Sequence, residues 1–195
     1  MYNFLLDSLP DEYEGYLIRT DYRVGIQISQ ALEDEELTPQ ERLAVAFSLL
    51  YGEGAPPVQT AYRGLTWFLN AGNPPEEEGE PGGAGQEETG IRFFSFDYDA
   101  TRLYSGFRRM YHIDLDKTPM HWFRFLALLG DLGECAFTQV VHYRTADLSK
   151  MDKETRRTYQ RMRHKYALPQ PESEESKAFM EKLLTPSSDD HSVGT

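Results

Sequence analysis

Two acidic pairs and one basic run are the residues whose types and spacing could do chemistry. Asp97-x-Asp99 and Asp114-x-Asp116 place carboxylates one residue apart, a spacing that can share a divalent cation. Each pair also lies where a helix should begin or a turn should close, and Asp is favoured in both places because its side chain bonds nearby backbone N–H groups. Capping and turn formation account for both pairs. The five histidines, His112, His121, His142, His164 and His191, form no HExxH and no compact Cys/His set. His121 reads as a hydrogen-bonded core or interface residue. Cys135 stands outside any nucleophile motif and reads as a small packed side chain. As the single cysteine it excludes an intramolecular disulfide. GxSxG, Walker A and GxGxxG patterns are absent. Gly82-Gly83-Ala84-Gly85 has no strand before it and sits among glutamates, the reverse of a phosphate cradle. No residue is assigned as catalytic, metal-binding or cofactor-binding.

The basic run is Lys150, Lys153, Arg156, Arg157, Arg161, Arg163 and Lys165. Clustered cations on a helix can neutralise phosphates, with Arg156, Arg157 and Arg161 as candidate partner contacts. The alternative is a solvated face, or one that pairs with the chain's own acidic segments. Formal net charge is −12 over 195 residues. Residues 71–92 carry six Glu against one Arg, and residues 168–195 four Glu and two Asp against two Lys, which leaves the body at −3. A general polyanion binder should be more basic, so nucleic acid is an unlikely partner on charge.

The elements that must position these residues centre on Phe96–Glu134. Asp97 is expected to cap a helix with Ala100, Leu103, Tyr104, Phe107 and Tyr111 on one face, and with Arg108 and Arg109 in its last turn. A turn at Asp114–Lys117 follows. Thr118-Pro119 then predicts the start of a helix that is apolar almost all round from Met120 to Leu129, broken only by His121 and Arg124. Such a helix is either central to a core or covered by a partner. Trp122, Phe123 and Phe125 are therefore candidate anchors for a partner as well as core residues.

Upstream, Tyr13-Glu14-Gly15-Tyr16 predicts a short β-hairpin. Asp21 should cap a helix carrying Val24, Ile28 and Leu32, and Thr38-Pro39-Gln40-Glu41 forms a capping box for the next. Ala61, Leu65, Phe68 and Leu69 mark a third helix. Residues 71–91 are rich in Gly, Pro and Glu, and read as a disordered acidic insert. Beyond the central stretch, Phe137, Val140 and Val141 suggest a helix, although their β-branched content leaves strand open. Asp152 should cap a last helix ending near Tyr166. The fold class is thus mainly α, a single helical domain of six to seven helices over residues 1–168. A largely disordered acidic tail, residues 169–195, follows, in which Ala178–Leu184 could form a turn or two of helix. Neither a signal peptide nor an apolar run long enough to span a membrane is visible.

Three stretches together resemble the bacteriophage "gene product fifteen" family of tailed phages and prophages of Gram-positive bacteria. They are Tyr16-Leu17-Ile18-Arg19-Thr20-Asp21-Tyr22-Arg23; Phe96-Asp97-Tyr98-Asp99-Ala100 with Tyr104-Ser105-Gly106-Phe107; and Tyr111-His112-Ile113-Asp114-Leu115 with Met120-His121-Trp122-Phe123-Arg124-Phe125 and the run to Leu132. The likeness covers nearly all of residues 1–168. It implies virion morphogenesis, from genes that usually lie in the tail module just before the tape measure gene. That position suggests a non-enzymatic tail assembly chaperone in the host bacterial cytoplasm. Its expected partners are the phage tape measure protein, the tail tube protein and a companion tail assembly chaperone, and self-association is expected. The rival readings are a structural tail or neck component of the virion, and a nucleic-acid-binding accessory protein using residues 150–165.

Overall fold

A computed structural model describes residues 4–73 and 93–169. Their order is β1 (Glu12–Tyr13), β2 (Tyr16–Leu17), α1 (Tyr22–Glu33), α2 (Pro39–Tyr51), α3 (Val58–Leu69), α4 (Ala100–Tyr111), α5 (Trp122–Gly130), α6 (Ala136–Thr145) and α7 (Lys153–Lys165), with a 3-10 turn at Leu148–Lys150. The mainly α expectation holds, with seven α-helices among the described residues. The acidic insert beyond Asn73 and the tail beyond Pro169, with the candidate helical turn at Ala178–Leu184, lie outside the described residues.

The N-terminal hairpin forms at the expected turn. Glu14 and Gly15 both take positive φ, 50° and 82°, as a two-residue loop between right-twisted strands requires. Two residues per strand cannot stand alone. The hairpin is held on α3 by Tyr13 packing on Trp67, with ring centroids 5.1 Å apart, and by an ion pair from Arg63 to Glu14. The capping box at α2 is complete. Thr38 N donates to Glu41 Oε2 at 2.8 Å and Glu41 N donates to Thr38 Oγ1 at 3.3 Å, with Pro39 in the first helical position.

Two expected helix starts are corrected. The helix after Thr118-Pro119 begins at Trp122, and its cap is His121, not Thr118. Met120 is buried ahead of the helix because its carbonyl accepts from Tyr22 N at 2.8 Å while Trp122 N donates to Thr20 O at 2.7 Å. This short antiparallel bridge locks the start of α5 to the start of α1. The Asp97 cap is likewise absent. Asp97 accepts from Gln30 Nε2, and the residue preceding α4 is Asp99, whose carboxylate turns inward. On α4 the buried residues are Leu103, Gly106 and Phe107, whereas Ala100 and Tyr104 face outward.

Helix α5 is the centre of the core, as its composition demands. Trp122, Phe123 and Phe125 are buried to 2% exposure or less. Phe125 stacks on Tyr22, Phe107 and Trp122 at centroid distances of 4.9, 5.1 and 5.6 Å, and Phe123 meets Trp67 edge-on at 5.3 Å. Offset and edge-on rings at these distances stabilise beyond their area burial. The Trp122 ring lies over Gly25 of α1, where an added Cβ would sit 2.3 Å from two ring carbons. Gly25→Ala should therefore destabilise by about 1–3 kcal/mol through overpacking. Chemical denaturation should show that loss, and a second change, Trp122→Leu, should reduce the cost of the added methyl.

His121 makes a second testable element. Its Nδ1 accepts from Phe123 N at 3.0 Å, so the proton resides on Nε2, which donates to Pro10 O at 2.9 Å. Burial is the main cause that holds this imidazole below its ordinary pKa. The native state then binds fewer protons than the unfolded chain. Its contribution to stability is present above the unfolded value near 6.5 and is lost as pH falls below it. Thermal midpoints measured from pH 7.5 down to 5 should fall for the native chain. His121→Asn, whose amide caps without titrating, should flatten that segment of the profile.

Candidate interaction surface

The acidic pairs serve structure, by different means. Asp114 and Asp116 form the expected turn, with Asp116 N donating to Asp114 Oδ1 at 3.3 Å and Thr118 N to Asp114 O at 2.9 Å. Asp99 is fully buried and belongs to an ion pair that neither the capping nor the metal reading of the sequence contains. Arg144 Nη1 and Nη2 donate to its two carboxylate oxygens at 2.6 and 3.1 Å; Arg102 Nη1 donates to Oδ1 at 3.1 Å and Ser95 N to Oδ2 at 3.1 Å. The signal that could have found it was a lone arginine, Arg144, on the otherwise apolar side of α6. The described residues hold no group of three or more His, Cys, Asp or Glu side chains able to bind a metal.

Helices α6 and α7 meet at their C-termini and cap each other. Arg144 Nε on α6 donates to Tyr166 O at 2.7 Å, while Arg163 on α7 donates to Tyr143 O and Ala146 O. Each guanidinium satisfies carbonyls that a helix end leaves open. Tyr143 sits between Tyr159, 5.2 Å away edge-on, and Tyr166, stacked at 6.3 Å. No residue of α7 is fully buried, so polar bonds and these rings hold it.

The basic run therefore divides. Arg156, named as a candidate partner contact, acts as an internal brace: its donors reach Leu148 O at 3.0 Å, Ser149 O at 3.1 Å and Met151 O at 3.0 Å. Arg163 is spent in the same way. Arg157 and Arg161 are exposed, together with Lys153 and Lys165, and these four recur at every fourth position along one side of α7. Trp122, Phe123 and Phe125, named as anchors, fill the core and offer no surface in this conformation.

Apolar surface remains elsewhere. A shallow groove of about 280 Å³ between α1 and α4 is lined by Tyr22, Ile26, Phe96, Leu103 and Phe125, with Arg23 and Asp116 at its edge. Burial pushes the Tyr22 phenol above its usual pKa, so it stays a donor to Leu115 O at 2.6 Å. On α3, Val58 and Tyr62 are 74% and 54% exposed and lie one turn apart.

These elements define a small helical protein with an aromatic core, a basic helix braced against one side and outward apolar residues on α3. Residues 5–168 match the family described as bacteriophage Gp15 protein, and the chain belongs to that family. It is accordingly a phage structural or morphogenesis protein. No curated protein and no solved structure matches the chain.

Breaking the Asp99–Arg144 pair should cost more than any surface change, because one buried charge would be left without its partner. Arg144→Ala or Asp99→Ala should each lower unfolding free energy by about 3–5 kcal/mol. The double variant should cost less than the two losses added together, which a double-mutant cycle by urea denaturation reads directly.

Proposed function

We propose that this protein is a non-enzymatic tail assembly chaperone that coats the phage tape measure protein in the host cytoplasm and helps recruit tail tube subunits. Family membership across residues 5–168 carries the reading. Physical features support it. A tape measure is a long helical chain whose bare apolar stripes would aggregate, and a helical protein with outward apolar residues can cover such stripes by helix packing. Val58 and Tyr62 have the i, i+4 spacing for that contact and lie on a helix whose other face is already buried through Ala61, Leu65 and Phe68. The acidic segments keep such a complex soluble. Among the described residues no helix is long and apolar enough to cross a membrane.

A second reading has its own observation. The exposed Arg157 and Arg161 suit phosphate contacts, so an accessory nucleic-acid binder remains the rival.

Co-expression with the tape measure protein of the same genome, followed by pull-down and sedimentation, tests the first reading. The native chain should retain the tape measure in the supernatant. Val58→Ser with Tyr62→Ser should reduce capture at least tenfold without moving the unfolding midpoint, since both side chains are already exposed. A tape measure that is neither bound nor solubilised overturns the chaperone reading. Salt-sensitive retention on DNA, or fixed stoichiometry in purified virions, would then identify which alternative holds.

A further inference from the structure

We propose that the exposed cation stripe of α7 is the docking site of the first acidic cluster of this chain's own tail, Glu172, Glu174 and Glu175, laid back along the helix. The stripe is Lys153, Arg157, Arg161 and Lys165, whose positions recur about every 6 Å along the helix axis. None of the four has a carboxylate partner among the described residues. Arg156 and Arg163 keep their charge but turn their donors to backbone carbonyls, so they add to the field without lining the stripe.

The tail's starting point is fixed. The chain leaves α7 at Tyr166, whose carbonyl is held by Arg144 Nε at 2.7 Å. Glu172, Glu174 and Glu175 follow within nine residues of it. An extended chain advances about 3.3 Å per residue, so nine residues reach about 30 Å, beyond the roughly 18 Å from Lys165 back to Lys153. Glu172 and Glu174 would then stand about 6.6 Å apart, close to the stripe's own spacing. Each exposed pair is weak on its own. The tether supplies an effective concentration in the millimolar range, which lets several weak pairs act together. A second copy of the chain, a nucleic acid or another acidic protein would have to displace a segment already attached to the site. The inference does not depend on the chaperone reading.

Zero-length carbodiimide cross-linking of the full chain, read by peptide mass spectrometry, tests it. Lys153 lies at the far end of α7 from the tail's origin, so a monomer in which Lys153 is linked to Glu172, Glu174 or Glu175 is the diagnostic product. That link should fall at least tenfold in about 1 M salt, where the screening length shrinks to roughly 3 Å. It should also be lost in Arg157→Glu with Arg161→Glu, whose helicity by circular dichroism should stay native. Links from Lys153 only within cross-linked dimers, only to glutamates of residues 76–88, or to no carboxylate of the tail would each overturn the assignment. Heparin provides an independent readout. Glu172→Gln, Glu174→Gln and Glu175→Gln together should raise heparin affinity about three- to tenfold as the stripe is uncovered. Glu76→Gln, Glu77→Gln and Glu78→Gln remove the same charge elsewhere and should give a smaller gain. Equal gains would reduce the effect to net charge and sink the proposal.

Discussion

The side of the molecule that carries α7 depends on the Arg144 guanidinium. Its donors reach both oxygens of Asp99, the carbonyl of Phe93 and the carbonyl of Tyr166. These partners belong to the start of α4, the irregular segment before it and the end of α7, while Arg144 itself sits at the end of α6. A planar fork with five donors can satisfy four directions at once, and a lysine could not. Arg144 is 8% exposed and Asp99 is fully buried, so neither charge could be tolerated alone. The pair explains how α7, without one fully buried residue, keeps a defined place. It also brings together the chain ends from which the acidic insert and the acidic tail depart.

The other half depends on apolar contact. Helix α5 buries its first turn on three sides: α1 lies on one through Gly25 and Tyr22, α3 on another through Trp67 and Phe68, and α4 on a third through Phe107, while Leu126, Leu128 and Leu129 beyond it are half-buried. Trp122 shows the cost of that central place. Its Nε1–H has no acceptor among the described residues, a penalty of about 1–3 kcal/mol that the ring's burial must exceed. Aromatic anchors that fill a core in this way cannot also wait at a surface. Outward apolar side chains are found instead on residues the core does not use, such as Val58 and Tyr62 of α3.

What the sequence made legible was local. The Glu14-Gly15 turn, the Thr38–Glu41 box, the Asp21 and Asp152 caps and the apolar face of α3 all follow from neighbours within four residues. What it hid was non-local. His121 could not be recognised as a cap, because its role depends on the bridge between α5 and α1 and on Pro10, 111 positions away. Asp99 looked like part of a cap or metal pair because its true partner is 45 residues distant. The candidate surface suffered in the same way. Trp122, Phe123 and Phe125 have types that suit partner anchors and cores equally, and only burial separates the two.

The basic run shows why composition alone misleads about surfaces. Arg156 and Arg157 are neighbours in sequence, yet a helix turns 100° between them, so one points to the connection before α7 and the other to solvent. Arg161 and Arg163 divide similarly. Half the arginines of α7 thus act as hydrogen-bond donors to the backbone, stabilising the helix's position, and the other half keep their donors outward. A count of cations therefore overstates the hydrogen-bond donors open to any partner, although every guanidinium still contributes its charge.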